Sequence, residues 1–282
     1  MKRNSIAVLL TVFNRKDKTL KCLQRLYTQL PLDGYQVDVY LTDDGCTDRT
    51  PEAVRQQFPQ VHIIYGDGNL FWNRGMYIAW QEAAKEDYDF YLWLNDDVIL
   101  FNTALSHILS CSNKKKDKCI ISGLISSTDG LHTTYGGRTK GIKIQKDGTM
   151  HEIETMHGNF VLIPKYVFQI IGYNDPYYHH SYGDHDYSLM ARKKHIGVYT
   201  TKEFTGTCDI ESKEIKCFMK GIPFKQRWKN LHSPLSYTMP NEVFYFYNKH
   251  YNTTIAIFKY ISVYIKCLFP QIHESINRKR HK

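Results

Sequence analysis

The sequence predicts an α/β fold: a Rossmann-like, mostly parallel sheet flanked by helices, followed by a C-terminal helical tail. Short apolar runs alternate with segments of helical periodicity, the pattern of βαβ units and a parallel sheet. Three of the runs end in polar clusters: Thr11-Val12-Phe13-Asn14-Arg15, Asp43-Asp44-Gly45 and Asn95-Asp96-Asp97. In a parallel sheet the carboxyl ends share one edge, and that edge is where ligands bind. Beyond about residue 215 the alternation stops and an aromatic stretch studded with lysines begins.

The elements follow in order. Ser5 to Val12 is a β-branched apolar run and reads as the first buried strand. From Asp17, an N-cap candidate, Leu20, Leu23, Leu26, Tyr27 and Leu30 repeat at helical spacing until Pro31-Leu32-Asp33-Gly34. Val37 to Leu41 is the second strand. Thr50-Pro51-Glu52 opens a helix with Pro at its first position, ending near Phe58-Pro59. Val61 to Tyr65 is a third strand, and Met76, Ala79, Trp80 and Ala83 mark the next helix. Phe90-Tyr91-Leu92-Trp93-Leu94 is the strand around which the rest is organised, because it runs straight into Asn95-Asp96-Asp97. Asp is disfavoured within strands, so these carboxylates belong at the strand's end or in the turn after it. Further on, Ser110 to Lys118 reads as a charged loop, Cys119 to Ile125 as a strand, and Gly130 to Gly148 as a hairpin or mobile loop. Gly158 to Ile163 is a strand, and Pro164 opens a short helix to Ile171. The polar, Gly-containing stretch from Glu203 to Gly221 is the expected boundary.

The 282 residues are enough for a real core, and 42% hydrophobic with 23% charged residues is ordinary for a globular chain. The formal net charge of +9 suggests an anionic partner. Nucleic acid is disfavoured, since paired Asp residues at the strand ends would repel its phosphates. Seven scattered Cys with no C-x-x-C pair give neither a disulfide framework nor a zinc site, so a reducing cytoplasm is expected. Nothing at the N-terminus reads as a signal peptide, and no segment is long and apolar enough to span a bilayer.

Asp96 and Asp97 repel each other unless a cation lies between them, and Mg²⁺ typically uses one or two carboxylates plus substrate phosphates. A carboxylate at the Asp43-Asp44 strand end can accept from a ring N–H of uracil, thymine or guanine. The same residues also read as ordinary structure: Asp43-Asp44-Gly45 as a turn and Asp48 as a helix cap.

Together these segments resemble family 2 glycosyltransferases of the GT-A, or nucleotide-diphospho-sugar transferase, fold. The resemblance covers about residues 5 to 200. The family's opening is similar to Val8-Leu9-Leu10-Thr11-Val12-Phe13-Asn14-Arg15, and its Asp-Asp/Asn-Gly-Ser-x-Asp segment to Asp43-Asp44-Gly45-Cys46-Thr47-Asp48. Its Asp-x-Asp metal motif resembles Asn95-Asp96-Asp97, and its acceptor-side Glu-Asp-x-Asp-Leu segment resembles Gly183-Asp184-His185-Asp186-Tyr187.

The resemblance implies residues 1–215 as the catalytic domain, with a nucleotide-sugar-binding half (1–100) and an acceptor-side half (101–215), and 216–282 as the tail. It implies that Thr11, Phe13 and Arg15 line the nucleotide pocket and that Asp44 binds the base. Asn95 and Asp96 would contact the ribose or donor sugar, while Asp97, with Asp96, would hold Mn²⁺ or Mg²⁺. Asn69, Trp72 and Arg74 lie in a segment that faces the nucleotide sugar in relatives; core packing for Trp72 and a surface charge for Arg74 weigh equally. Asp184 would be the catalytic base, with Asp186 as the alternative. The implied reaction is inverting transfer from a UDP- or dTDP-sugar to a hydroxyl of a growing, lipid-linked surface glycan such as capsule, O-antigen or teichoic-type polymer.

Two departures stand out. The family's Glu before the base is Gly183, and the place of a metal-holding His is taken by Phe204-Thr205-Gly206-Thr207-Cys208-Asp209, where Asp209 is the substitute on offer. The tail from Val243 to Phe269, with Arg278-Lys279-Arg280-His281-Lys282 after it, suits a peripheral contact with the inner face of the cell membrane; packing on the body or a homodimer partner is the other reading. Rival functions are a sugar-phosphate nucleotidyltransferase, which would normally carry a Gly-rich basic loop where Phe13-Asn14-Arg15-Lys16 stands, and a non-enzymatic nucleotide- or glycan-binding module.

Overall fold

The computed structural model describes residues 3–210 and 215–273. The basic cluster at 278–282 lies outside the described residues. The described chain divides into two compact units, 3–176 with 183–210, and 177–182 with 215–273.

The first unit opens with strand β1 (Asn4–Val12), helix α1 (Lys16–Tyr27), β2 (Tyr35–Asp43), α2 (Thr50–Gln57), β3 (His62–Tyr65), α3 (Phe71–Ala83) and β4 (Phe90–Leu94). β5 (Ile99–Leu100), α4 (Ala104–Lys114), β6 (Ile120–Ser126), β7 (Thr133–Tyr135), β8 (Gly137–Thr139), β9 (Ile142–Lys143) and β10 (Thr155–Met156) follow. β11 (Phe160–Pro164), α5 (Lys165–Ile171), α6 (Gly183–Lys193) and β12 (Val198–Thr207) complete it. The main sheet has the order β3-β2-β1-β4-β11-β6-β12-β5, with β7 beside β6, and β10-β8-β9 form a small second sheet. The half that the βαβ alternation predicts, β3 to β4, is parallel throughout; beyond it β11 runs antiparallel to both neighbours.

Alternation along the strands builds two cores, one on each face of the sheet. From β1, Ile6, Val8, Leu10 and Val12 pack with Leu23 and Leu26 of α1, Val54 of α2 and Ile108 of α4. Ala7 and Leu9 point to the other face, with Met76, Ala79 and Trp80 of α3 and Tyr187 and Ala191 of α6. β1 is central, with β2 on one side and β4 on the other, so the chain order reverses across it and its carboxyl end borders a crevice.

Three local expectations are corrected. The segment 110–118 is not simply a charged loop: α4 runs to Lys114, because Leu105, Ile108, Leu109 and Ser112 form a buried stripe at helical spacing and leave the lysines outside. The first part of the expected boundary is a core strand, β12, paired parallel to β6. Asp17 lies in the first turn of α1 rather than at its N-cap, which is Arg15.

In the second unit, α7 (Phe224–Leu231), α8 (Pro240–His250) and α9 (Thr253–Leu268) form the helical tail. Asn252 caps α9, its side chain accepting from the Ile255 N–H at 2.8 Å. α9 buries Ala256, Val263 and Cys267, and Arg227 Nε of α7 donates to the Cys267 carbonyl at 2.9 Å. Tyr177 stacks on Tyr245 at 3.9 Å, and His179 donates its backbone N–H to the buried Glu242 carboxylate at 2.7 Å.

Candidate active site

β4 delivers Asn95-Asp96-Asp97 to the sheet edge. The chain turns there, with the Val98 N–H donating to the Asn95 carbonyl at 3.2 Å. Arg15, at the start of α1, reaches across: its Nη1 donates to Asp96 Oδ1 at 2.9 Å and to Asp97 Oδ2 at 3.1 Å. The guanidinium thus stands between the two carboxylates and relieves their repulsion. Thr19 Oγ1, one turn further along α1, donates to Asp96 Oδ2 at 3.4 Å. Asp96 is only 4% exposed. Burial pushes its carboxyl up to about 6, Arg15 opposes the shift and Asp97 adds to it. Asp97 Oδ1 is buried and has no hydrogen-bond partner among the described residues.

That orphaned oxygen beside a second carboxylate is the donor set a hard divalent cation uses, with substrate phosphates completing the shell. Asp97 and Asp96 therefore fit Mg²⁺ or Mn²⁺. No group of three or more His, Cys, Asp or Glu among the described residues converges to hold a metal. Asp209 is spent elsewhere: its carboxylate accepts from the Thr128 N–H at 2.8 Å and the Thr128 hydroxyl at 2.6 Å. Its neighbour Cys208 is the residue that faces Asp97. Burial, and then the Asp97 charge, push the Cys208 thiol up to about 12.

A chain of contacts leads from this pair to Asp184. Trp72, in the first turn of α3, donates its indole N–H to Asn95 Oδ1 at 2.8 Å. The far edge of the same indole lies where a Cβ on Gly158 would be, 2.5 Å away, so only glycine fits there. The Gly158 N–H donates to Asp184 Oδ2 at 3.0 Å, and the His185 N–H to Asp184 Oδ1 at 2.8 Å. Asp184 is half-buried at the start of α6, whereas Asp186 is 2% exposed. His157 stands beside Asp184. The Gly136 N–H donates to its Nδ1 at 3.3 Å, and burial holds its imidazole down to about 4, so it is neutral with its proton on Nε2.

The remaining sequence-derived residues lie around this line. Asp44 is 3% exposed, and its carboxylate accepts from the N–H groups of Gly68 at 3.0 Å, Leu70 at 3.1 Å and Phe71 at 2.8 Å. It thereby caps α3 and holds the 68–71 turn, in which Phe71 sits at φ 57°. Thr11 backs α3 at Gly75, where its Oγ1 would lie 2.1 Å from a Cβ. Phe13 is 53% exposed beyond the end of β1. Asn69 is exposed and makes a local turn with Asp67. Arg74 Nε donates to the Pro176 carbonyl at 3.0 Å. Asp48 is a structural clamp: it accepts from the Lys16 N–H and from the Thr50 N–H, each at 3.0 Å, joining the starts of α1 and α2. Sequence reasoning passed over Thr19, His157, Cys208 and Asn73. Asn73 lies between Trp72 and Arg74, and a polar residue on a helix face that must be buried was the available signal.

The sheet order, the strand-end carboxylates and the flanking helices define a GT-A fold, the architecture of nucleotide-diphospho-sugar transferases. A family model described as Glycosyl transferase family 2 matches residues 7–193, and the chain belongs to that family. No curated protein sequence matches it. Among solved structures, TarS of S. aureus is similar at 11% identity with a TM-score of 0.57, over 84% of this chain and 45% of TarS. The mannosyltransferase PcManGT from Pyrobaculum calidifontis, in complex with GDP-Man and Mn²⁺, matches at 14% identity and a TM-score of 0.54, over 93% of this chain and 74% of that one. GalNAc-T7 with UDP, GalNAc and Mn²⁺ matches at 12% identity and a TM-score of 0.61, over 86% and 48%. The chain therefore spans less than half the length of two of these three.

Proposed function

We propose that the protein is an inverting glycosyltransferase that moves a hexosyl or deoxyhexosyl unit from a UDP- or dTDP-sugar to a hydroxyl of a growing, lipid-linked surface glycan. The observation that carries this reading is the unbroken line from the Asp96–Asp97 pair, through Asn95 and Trp72, to Asp184 at the head of α6. One end suits a diphosphate and its cation; the other offers a half-exposed carboxylate of fixed orientation.

In this reading Arg15 and the carboxylate pair orient the donor's diphosphate at the end of β4. Asp97 and Asp96 would hold Mg²⁺ or Mn²⁺, which when bound supplies charge stabilisation to the leaving diphosphate. Asp184 removes the proton from the acceptor hydroxyl. The acceptor oxygen bonds to the anomeric carbon from the face opposite the leaving group, the bond to the phosphate oxygen breaks, and the nucleoside diphosphate departs. Asp184 is favoured over Asp186 because only Asp184 is open to an acceptor. The peripheral-membrane reading is supported by α9, whose outer face carries Phe258 at 70% exposure with Ile261, Ile265 and Leu268.

The test is release of nucleoside diphosphate and transfer of sugar from a panel of UDP-, dTDP- and GDP-sugars with Mn²⁺, Mg²⁺ or EDTA. Asp184→Asn should lower kcat by about 10²–10⁴ while donor binding persists. Asp97→Ala should abolish the metal-dependent part of nucleotide binding. Full activity of both variants and in EDTA would remove this site from the reaction.

A further inference from the structure

Position 183, where the family pattern carries a glutamate, is glycine here, and the neighbouring side chains explain why. A Cβ built on Gly183 would lie 1.8 Å from Oδ1 of Asn73 and 2.6 Å from its Cγ. The space beside the head of α6 is therefore already filled, by a carboxamide from the first turn of α3.

Asn73 is fully buried, and it bonds to the 174–176 segment. Its Nδ2 donates to the Asp175 carbonyl at 2.8 Å. Its Oδ1 and its own backbone carbonyl both accept from Asn174 Nδ2, each at 2.8 Å, and Asn174 is itself 1% exposed. Next along α3, Arg74 Nε donates to the Pro176 carbonyl at 3.0 Å. The first turn of α3 thus fastens residues 174–176 and abuts the first residue of α6. Trp72, one residue earlier, carries the link to Asn95 and packs on Gly158, whose N–H orients Asp184. Buried amides linked in this way fix one geometry, because a slip would break the Asn174 Nδ2 bonds in a dry site where Asn174 Oδ1 already has no partner among the described residues.

We infer that Asn73 is a positioning residue for Asp184: it takes the space of the missing carboxylate and sets where α6 begins. Gly183 and Asn73 are then a matched pair, and each residue constrains the other. The inference rests on the reading of Asp184 as the base.

Three variants in the full chain test it. Asn73→Ser should keep donor KM and lower kcat at least tenfold. The loss should fall on kcat and leave donor KM in place, since what is displaced is Asp184, held by the Gly158 N–H, and not the donor's diphosphate site. Gly183→Ala should be similarly impaired alone, and Asn73→Ser should lessen that impairment when combined with it. A merely structural role would lower the melting temperature without separating kcat from donor KM. The inference fails if Asn73→Ser retains kcat within twofold, or if donor KM rises in step with the fall in kcat. If Gly183→Ala does not fold, Asn73→Ser decides alone. Asp184→Asn separates the two levels: full activity there overturns the base assignment, whereas a dead Asp184→Asn beside an unimpaired Asn73→Ser overturns only the positioning role.

Discussion

Asp96 shows how one residue's burial becomes a property of the protein. Its carboxyl ionises near 6 in the folded chain against an ordinary value of 3.8, chiefly because burial penalises the charge. The unfolded chain therefore gives up this proton at lower pH than the folded chain does. The stability contributed by the protonated form is complete below about pH 4 and is lost as pH rises towards about 6. A shift of this size corresponds to about 3 kcal/mol at most. Asp96→Asn removes the titration and leaves Arg15 its bond to Asp97. Urea melts at pH 4.5 and pH 7 should show the variant gaining stability relative to the parent at the higher pH. Parallel pH slopes for the two proteins would mean that Asp96 is charged throughout this range.

At the scale of elements, α3 is the piece that joins the two sides of the site, and Asp44 holds its start. Three backbone N–H groups of the 68–71 turn converge on that carboxylate. Losing a charge-assisted bond of this kind costs about 1.5–3 kcal/mol. Asp44→Ala should therefore lower the melting temperature and weaken uridine, thymidine, guanosine and cytidine diphosphates alike, because the turn and Trp72 move together. A loss confined to uridine and thymidine diphosphates, with an unchanged melt, would assign Asp44 to base recognition instead. The sequence made the parallel half of the sheet legible, since each strand there is a continuous apolar run followed by a helix of clear period. β12 was not legible: Thr200-Thr201-Lys202-Glu203 interrupts it, and its place in the core comes from pairing with β6 across about 80 residues of chain. Within the site, the place of the Asp96–Asp97 turn could be read because Asp is disfavoured inside strands, so a carboxylate pair closing an apolar run belongs at its end. The Arg15 bridge, the Trp72–Asn95 bond and the Asn73–Gly183 pair could not, because each joins residues that only folding brings together.

At the scale of the whole molecule, charge and the tail argue for an anionic surface. The chain carries a net charge of +9. No helix among the described residues is long and apolar enough to cross a membrane. α9 nonetheless exposes Phe258, Ile261, Ile265 and Leu268 at spacings of three and four, an apolar stripe along one side of the helix. Lys259 and Lys266 lie on the same helix with their ammonium groups over the rings of Tyr247 at 5.0 Å and Phe218 at 5.9 Å, so the apolar stripe is what suits an interfacial helix. Binding through such a face combines buried apolar area with attraction to anionic lipid, so it should weaken as salt rises. The full chain should sediment with liposomes containing anionic lipid at low salt and less so at high salt. The double variant Phe258→Ser with Ile261→Ser should sediment less while binding nucleotide as before. A parent protein that ignores such liposomes at low salt but forms a dimer in solution, lost in the double variant, would show that the stripe meets a second copy of the chain rather than a membrane.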